Sequence, residues 1–197
     1  EEIKAEVFLT GEHNLRNLAA AVALVGELCG TEDLRKAVSK LKGFGGLQRR
    51  FEILADSGPV LIDDYAHHPT EVKATVRAAR GRFPHKRLVV VFEPHQVRRL
   101  ETFSKGFAQS LKEADLVVVV PVYAARERDI DSATASERFT FLLKKKGIES
   151  EFCSDWAEAE RTLLETVQLN DVVLFMGAGD ITSFAHLIAQ KYGSRYG

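Results

Sequence analysis

Three short, uninterrupted apolar runs constrain this chain more than any other feature. They are Leu88-Val89-Val90-Val91-Phe92, Leu116 to Val120, and Val172 to Met176. Each is one strand long and shows no alternation, the pattern of a strand covered on both faces. Helical spacings separate them: Phe103, Phe107 and Leu111, then Phe139, Leu142 and Leu143, then Trp156, Leu163 and Val167. Ile148 to Cys153 reads as a further short strand, and Asp155 with Glu158 as a capping box before the Trp156 helix. Alternating β and α elements predict an α/β chain with a mostly parallel sheet and helices on both faces.

Upstream, Phe51 to Leu54 and Val60 to Ile62 flank Ser57-Gly58-Pro59 as strand, turn and strand. Pro69 suits the first turn of a helix whose buried face is Val72, Val76 and Ala79. The beginning of the chain is different. Ile3, Ala5, Val7 and Leu9 alternate as an edge strand would. Leu15, Leu18, Val22 and Val25 then form a helical stripe, with Asn14 as the expected N-cap and Gly30 as the expected stop. A second helix from Thr31 carries Leu34, Val38 and Leu41 before Gly43-Phe44-Gly45-Gly46 breaks the pattern. These helices have no sheet of their own and read as the end of a preceding domain. The expected division is 1–47 and 48–197.

Composition narrows the function classes. Hydrophobic residues are 45% of 197 and charged residues 28%, which suits a packed core. A net charge of -1 gives no general attraction to nucleic acid or anionic lipid. No apolar run approaches the ~20 residues of a membrane span, and Glu1-Glu2-Ile3-Lys4 does not open a signal peptide. Cys29 and Cys153 are expected to be reduced core residues of a cytoplasmic protein. The first residue is not Met, which suggests a fragment.

Parallel sheets bind ligands at the carboxyl ends of their strands. Three polar turns fall there: Asp63 to His68, Glu93 to Arg99, and Gly177 to Asp180. The first, Asp63-Asp64-Tyr65-Ala66-His67-His68-Pro69, is the most informative, because two carboxylates, a phenol and two imidazoles cannot all be buried cheaply. It can be read as a helix cap with a solvated loop, as a metal site, or as a site for nucleotide and amine handling. The metal reading lacks a second cluster with ligand-like spacing. Arg49-Arg50 follows the glycine-rich break, and a guanidinium fork matches phosphate oxygens. Asn17 lies beyond the capping position, and its amide can read an adenine edge. The Pro94 to Arg99 loop could hold a carboxylate or phosphate. Gly177-Ala178-Gly179-Asp180 is either a close phosphate approach or a plain strand-to-helix turn, and no G-x-x-x-x-G-K-[ST] loop occurs.

Together these stretches resemble the Mur ligases. The resemblance rests on Gly11-Glu12-His13-Asn14 with Asn17, Arg49-Arg50-Phe51, Asp63 to Glu71, Pro94-His95, Val122-Tyr123-Ala124 and Met176-Gly177-Ala178-Gly179-Asp180-Ile181, in the family's order. It implies a Rossmann-like sheet as the last of three domains, preceded by the helical tail of a central ATP-binding domain. It also implies that the UDP-sugar domain and the phosphate loop lie outside this chain, which alone should be inactive. The implied reaction is ATP-dependent amide formation through an acyl phosphate, joining L-alanine to UDP-N-acetylmuramate in peptidoglycan synthesis, with Mg2+ held mainly by the central domain. By resemblance, Asn14 and Asn17 face the adenine, Arg50 the phosphates and Asp64 the ribose. Tyr65, His67, His95, Gln96 and Arg99 surround the amino acid, and Arg50 and His67 act in catalysis. One departure bears on specificity. Gln96 and Val97 stand where the family usually has Arg and an aromatic residue, and Arg98 is additional. The alternatives are a murein tripeptide ligase of cell-wall recycling, a non-catalytic nucleotide-binding module, and a metal hydrolase.

Overall fold

The computed structural model describes residues 4, 6–127 and 131–196. They fall into two compact units, one within 1–47 and one within 48–197.

In the first unit, helix α1 (Glu12–Ser39) runs through Gly30, whose φ of 77° breaks it into two segments at the expected stop. A 3-10 turn follows at Lys40–Gly43, and Gly46 has φ 99°. Val38 is the one buried apolar side chain among this unit's described residues. Leu15, Leu24 and Leu28 are exposed, so the helical stripe is present but largely uncovered. Two expectations fail here. Residues 6–10 form no strand, and Ile3 and Ala5 lie outside the described residues. Asn14 is not the N-cap; Gly11 holds that place, and Asn14 Nδ2 donates to the Thr10 carbonyl at 2.8 Å.

The second unit is a six-stranded sheet in the order β1-β2-β6-β3-β4-β5. The strands are β1 (Glu52–Ala55), β2 (Val60–Asp64), β3 (Leu88–Phe92), β4 (Leu116–Val119), β5 (Ser150–Phe152) and β6 (Val172–Met176). All pairings are parallel except β1 with β2. Helices α2 (Pro69–Arg82), α3 (Val97–Leu111) and α4 (Ser132–Lys145) cover one face, where Val76, Phe107 and Phe139 pack on Val90, Phe92 and Leu174. Helices α5 (Trp156–Thr166) and α6 (Ile181–Tyr196) cover the other, where Leu163, Phe184 and Ile188 pack on Val89, Val91 and Phe175. The three apolar runs read from the sequence are β3, β4 and β6, and these strands, with β2, are buried at every residue.

Local sequence explains the helix starts. His68 caps α2, Pro69 stands at its first position, and Glu71 returns to the His68 N–H. Asp155 accepts from Glu158 N at 2.8 Å, while the Glu158 carboxylate bonds Ser154 and leaves Asp155 unreciprocated. One burial expectation is corrected: Cys29 is exposed on α1, so only Cys153 is a core thiol. No described helix is long and apolar enough to cross a membrane.

Candidate functional site

Because β6 lies between β2 and β3, the carboxyl ends of these three strands are neighbours. Asp64 pairs with Met176, and Met176 with Phe92. The three polar turns therefore open side by side. The backbone locks them together: Gly177 N donates to the Asp64 carbonyl at 3.2 Å and Glu93 N to the Met176 carbonyl at 2.9 Å.

Strand alternation sends Asp63 and Asp64 to opposite faces of the sheet. Asp64 is 2% exposed. Its Oδ2 accepts from Phe51 N, and its Oδ1 from Ala66 N and the Thr75 hydroxyl, at 2.8, 2.9 and 3.1 Å. Burial raises its pKa, opposed by these donors and by Arg50. Asp63 is fully buried toward α6, with no hydrogen-bond donor of good geometry on either oxygen. The Arg49 Nε lies 3.8 Å away. The Thr182 hydroxyl draws the Asp63 pKa down without completing a hydrogen bond, so burial wins and the pKa is raised.

Arg49 and Phe51 both have φ 57°, unusual for residues with a Cβ. Surrounding bonds hold them there. Arg49 N donates to Glu52, the Arg49 carbonyl accepts from Tyr65 N at 2.8 Å, and Phe51 N meets Asp64. This backbone turns the two arginines onto Tyr65. The Arg49 guanidinium stands 4.6 Å from the ring centroid and that of Arg50 5.6 Å. Arg49 also donates from Nη2 to the Gly177 carbonyl at 2.9 Å. Arg50 is exposed and leaves its guanidinium toward solvent.

From Tyr65 the aromatic contacts continue. His67 meets Tyr65 edge-on at 5.1 Å and His95 at 5.6 Å, and His95 stacks on Tyr123 at 5.7 Å. The hydrogen bonds fix both imidazole tautomers. His67 Nδ1 lies 2.9 Å from the Tyr65 carbonyl, which can only accept, so Nδ1 carries the proton and Nε2 has a free lone pair. His95 Nδ1 lies 3.1 Å from Arg99 Nη1, which can only donate, so here Nε2 carries the proton. Burial lowers the His95 pKa, and the neighbouring Arg99 guanidinium acts in the same direction. One imidazole thus offers an acceptor and its neighbour a donor.

The fold brings Arg50, Tyr65, His67, His95 and Arg99 into one chain of contacts. Gln96, at φ 68°, sits at the start of α3 with its N–H on the Tyr123 carbonyl. Asn14 and Asn17 lie in the first unit, Asn17 exposed on α1. The sequence reading passed over three participants. Arg49 was seen only as half of a basic pair, Tyr123 only as part of a motif, and Glu93 only as the edge of a turn. Glu93 is 3% exposed, and its carboxylate accepts from Gly179, Asp180 and Ile181 N–H at 3.0, 3.2 and 3.3 Å. Burial pushes its pKa up to about 7 against the pull of those donors. The lone signal was a carboxylate directly after a fully apolar strand. Among the described residues no group of three or more His, Cys, Asp or Glu could hold a metal ion.

Residues 49–179 match the family described as Mur ligase, glutamate ligase domain. UDP-N-acetylmuramate--L-alanine ligase of Lachnoclostridium phytofermentans is 40% identical over 184 residues, covering 92% of this chain and 38% of that protein. The solved UDP-N-acetylmuramate-alanine ligase of Thermotoga maritima superposes with a TM-score of 0.81 at 31% identity, covering 98% of this chain and 41% of that one. A murein peptide ligase of Psychrobacter arcticus shares the fold at a TM-score of 0.67 and 21% identity, covering 94% of this chain and 38% of that one. The chain spans about two fifths of the length of these relatives.

Proposed function

The chain belongs to the Mur ligase family, and from that premise we propose that it forms the carboxyl-terminal part of an ATP-dependent ligase joining L-alanine to UDP-N-acetylmuramate in peptidoglycan synthesis. The observation that carries this reading is the 40% identity to an alanine-adding ligase across 92% of the chain. Residues 1–47 are then the tail of the central ATP-binding domain, and 48–197 the domain that closes over nucleotide and amino acid. The division into two compact units supports that assignment.

In the proposed reaction ATP phosphorylates the substrate carboxylate, the amine of L-alanine attacks the acyl phosphate, and phosphate leaves. The protein's part is positioning and charge neutralisation. Arg50 meets the phosphates, its guanidinium held over Tyr65. Asn14 and Asn17 face the adenine. Asp64 serves the ribose through the one Oδ2 lone pair its protein donors leave free, while those donors keep Arg49 to Phe51 in shape. His67 Nε2 accepts the proton the amine must lose before attack. The amino-acid carboxylate is met by the Nε2–H of His95 with Arg99, and Gln96 and Tyr65 shape the rest of that subsite. Mg2+ belongs to the phosphates and the central domain. No cluster among the described residues fits it, so none is assigned.

The test uses the longer protein that carries this chain, with phosphate release as readout. L-alanine is expected to be preferred over glycine, serine and the murein tripeptide; preference for the tripeptide would make the recycling ligase the correct reading. Arg50→Ala should lower kcat/KM by about 100-fold, the scale of one lost transition-state donor, with little change in melting temperature. An unchanged rate would remove Arg50 from catalysis.

A further inference from the structure

In dinucleotide-type folds the helix N-terminus after a glycine-rich strand end is the usual place for a phosphate, because unpaired N–H groups and the helix dipole converge there. The Gly177-Ala178-Gly179-Asp180 turn has that position, at the end of β6 and the start of α6. Here the place is already taken. Both oxygens of Glu93 are spent on the N–H groups of Gly179, Asp180 and Ile181, three of the donors a phosphate would need.

The glycines serve this contact. A Cβ on Gly177 would stand 2.8 Å from the Glu93 carbonyl. One on Gly179 would stand 2.6 Å from Glu93 Oε2 and 2.5 Å from the Tyr123 ring. The small residues thus let the β3 turn and Tyr123 close onto the β6 turn. A neighbouring helix is sealed in the same way: Val97 N and Arg98 N, which open α3, donate to the Glu127 carboxylate at 2.6 and 3.3 Å.

We propose that Glu93 is a positioning residue that seals the N-terminus of α6 with its own carboxyl oxygens, so that the Gly177–Asp180 turn fixes the His95 loop instead of receiving a phosphate. The anionic parts of any substrate at this rim are then left to guanidinium groups, Arg50 first among them. Glu93 acts through backbone geometry: its own backbone joins β6, its carboxylate joins α6, and His95 follows two residues later.

The test uses this 197-residue chain and inorganic phosphate, read by amide NMR and hydrogen exchange, and needs no ligase activity. In the unaltered protein, phosphate should leave the Gly179, Asp180 and Ile181 amide resonances in place. A saturable phosphate shift at those amides would overturn the proposal without touching the ligase reading. In Glu93→Ala the same amides should exchange faster by about tenfold or more, and added phosphate should slow them again by filling the vacated place. Unchanged exchange in Glu93→Ala would also overturn it. If Glu93→Ala does not fold, Glu93→Gln decides: it keeps the shape but not the charge, and must show faster exchange at the three amides together with shifted His95 and Tyr123 resonances.

Discussion

The two faces of the sheet at the end of β2 treat adjacent carboxylates in opposite ways. On the α2 face, Asp64 has three protein donors and fixes the strained turn that carries the arginines. On the α6 face, Asp63 is as deeply buried, yet the Arg49 guanidinium at 3.8 Å and the Thr182 hydroxyl beside it complete no hydrogen bond. The difference teaches that burial of a charge does not by itself identify its task. Asp64 organises backbone, whereas Asp63 is a buried carboxyl left without a hydrogen-bond partner. Glu93 combines the two conditions, buried on the α6 side and fully bonded.

The largest expected effect comes from the bonded side. Asp64→Ala strands two buried backbone N–H groups and the Thr75 hydroxyl, and should cost about 3 kcal/mol or more, at roughly 1–3 for each unsatisfied group. Urea unfolding of the chain measures it, and a cost below about 1 kcal/mol would erase the contrast between the faces.

Next is the pH dependence of Glu93. Its folded pKa of about 7 lies above the ordinary 4.5, so the folded state binds the extra proton between those values. Stability should therefore fall as pH rises from about 4.5 to about 7, by up to about 3 kcal/mol. His95, whose pKa is lowered, works the other way up to its ordinary 6.5. The difference between the unaltered chain and Glu93→Gln isolates the glutamate, and parallel melting profiles from pH 5 to pH 7.5 would contradict its elevated pKa. The smallest effect is expected at Asp63→Asn. A neutral amide of the same shape replaces a buried carboxyl whose charged form burial already disfavours, so stability should change by less than about 1 kcal/mol or rise slightly. Arg49 keeps the Gly177 carbonyl and the Tyr65 ring in that variant. A loss as large as that of Asp64→Ala would show that the 3.8 Å ion pair is strong after all.

Legibility in the sequence followed the range of the forces involved. The four buried strands, the helix at Pro69 and the break at Gly30 are set by neighbours within a few residues, and each could be read directly. The α1 stripe was legible too, but its burial was not, because cover for a helix face comes from elsewhere. The turn from Asp63 to His68 stood out by composition. Glu93 did not, because its partners lie 86 to 88 residues further along.

The sequence alone therefore determined the order of elements in the second unit, the mostly parallel sheet and the identity of the strand-end loops, since hydrophobic period and turn chemistry are local properties. Only the tertiary structure decided which carboxylate is bonded and which is stranded, which nitrogen of His67 and of His95 carries the proton, and that the α6 N-terminus already has its acceptor. Those outcomes depend on donors and acceptors that the β2-β6-β3 pairing brings within about 3 Å, the distance at which hydrogen bonds form, from segments far apart along the chain.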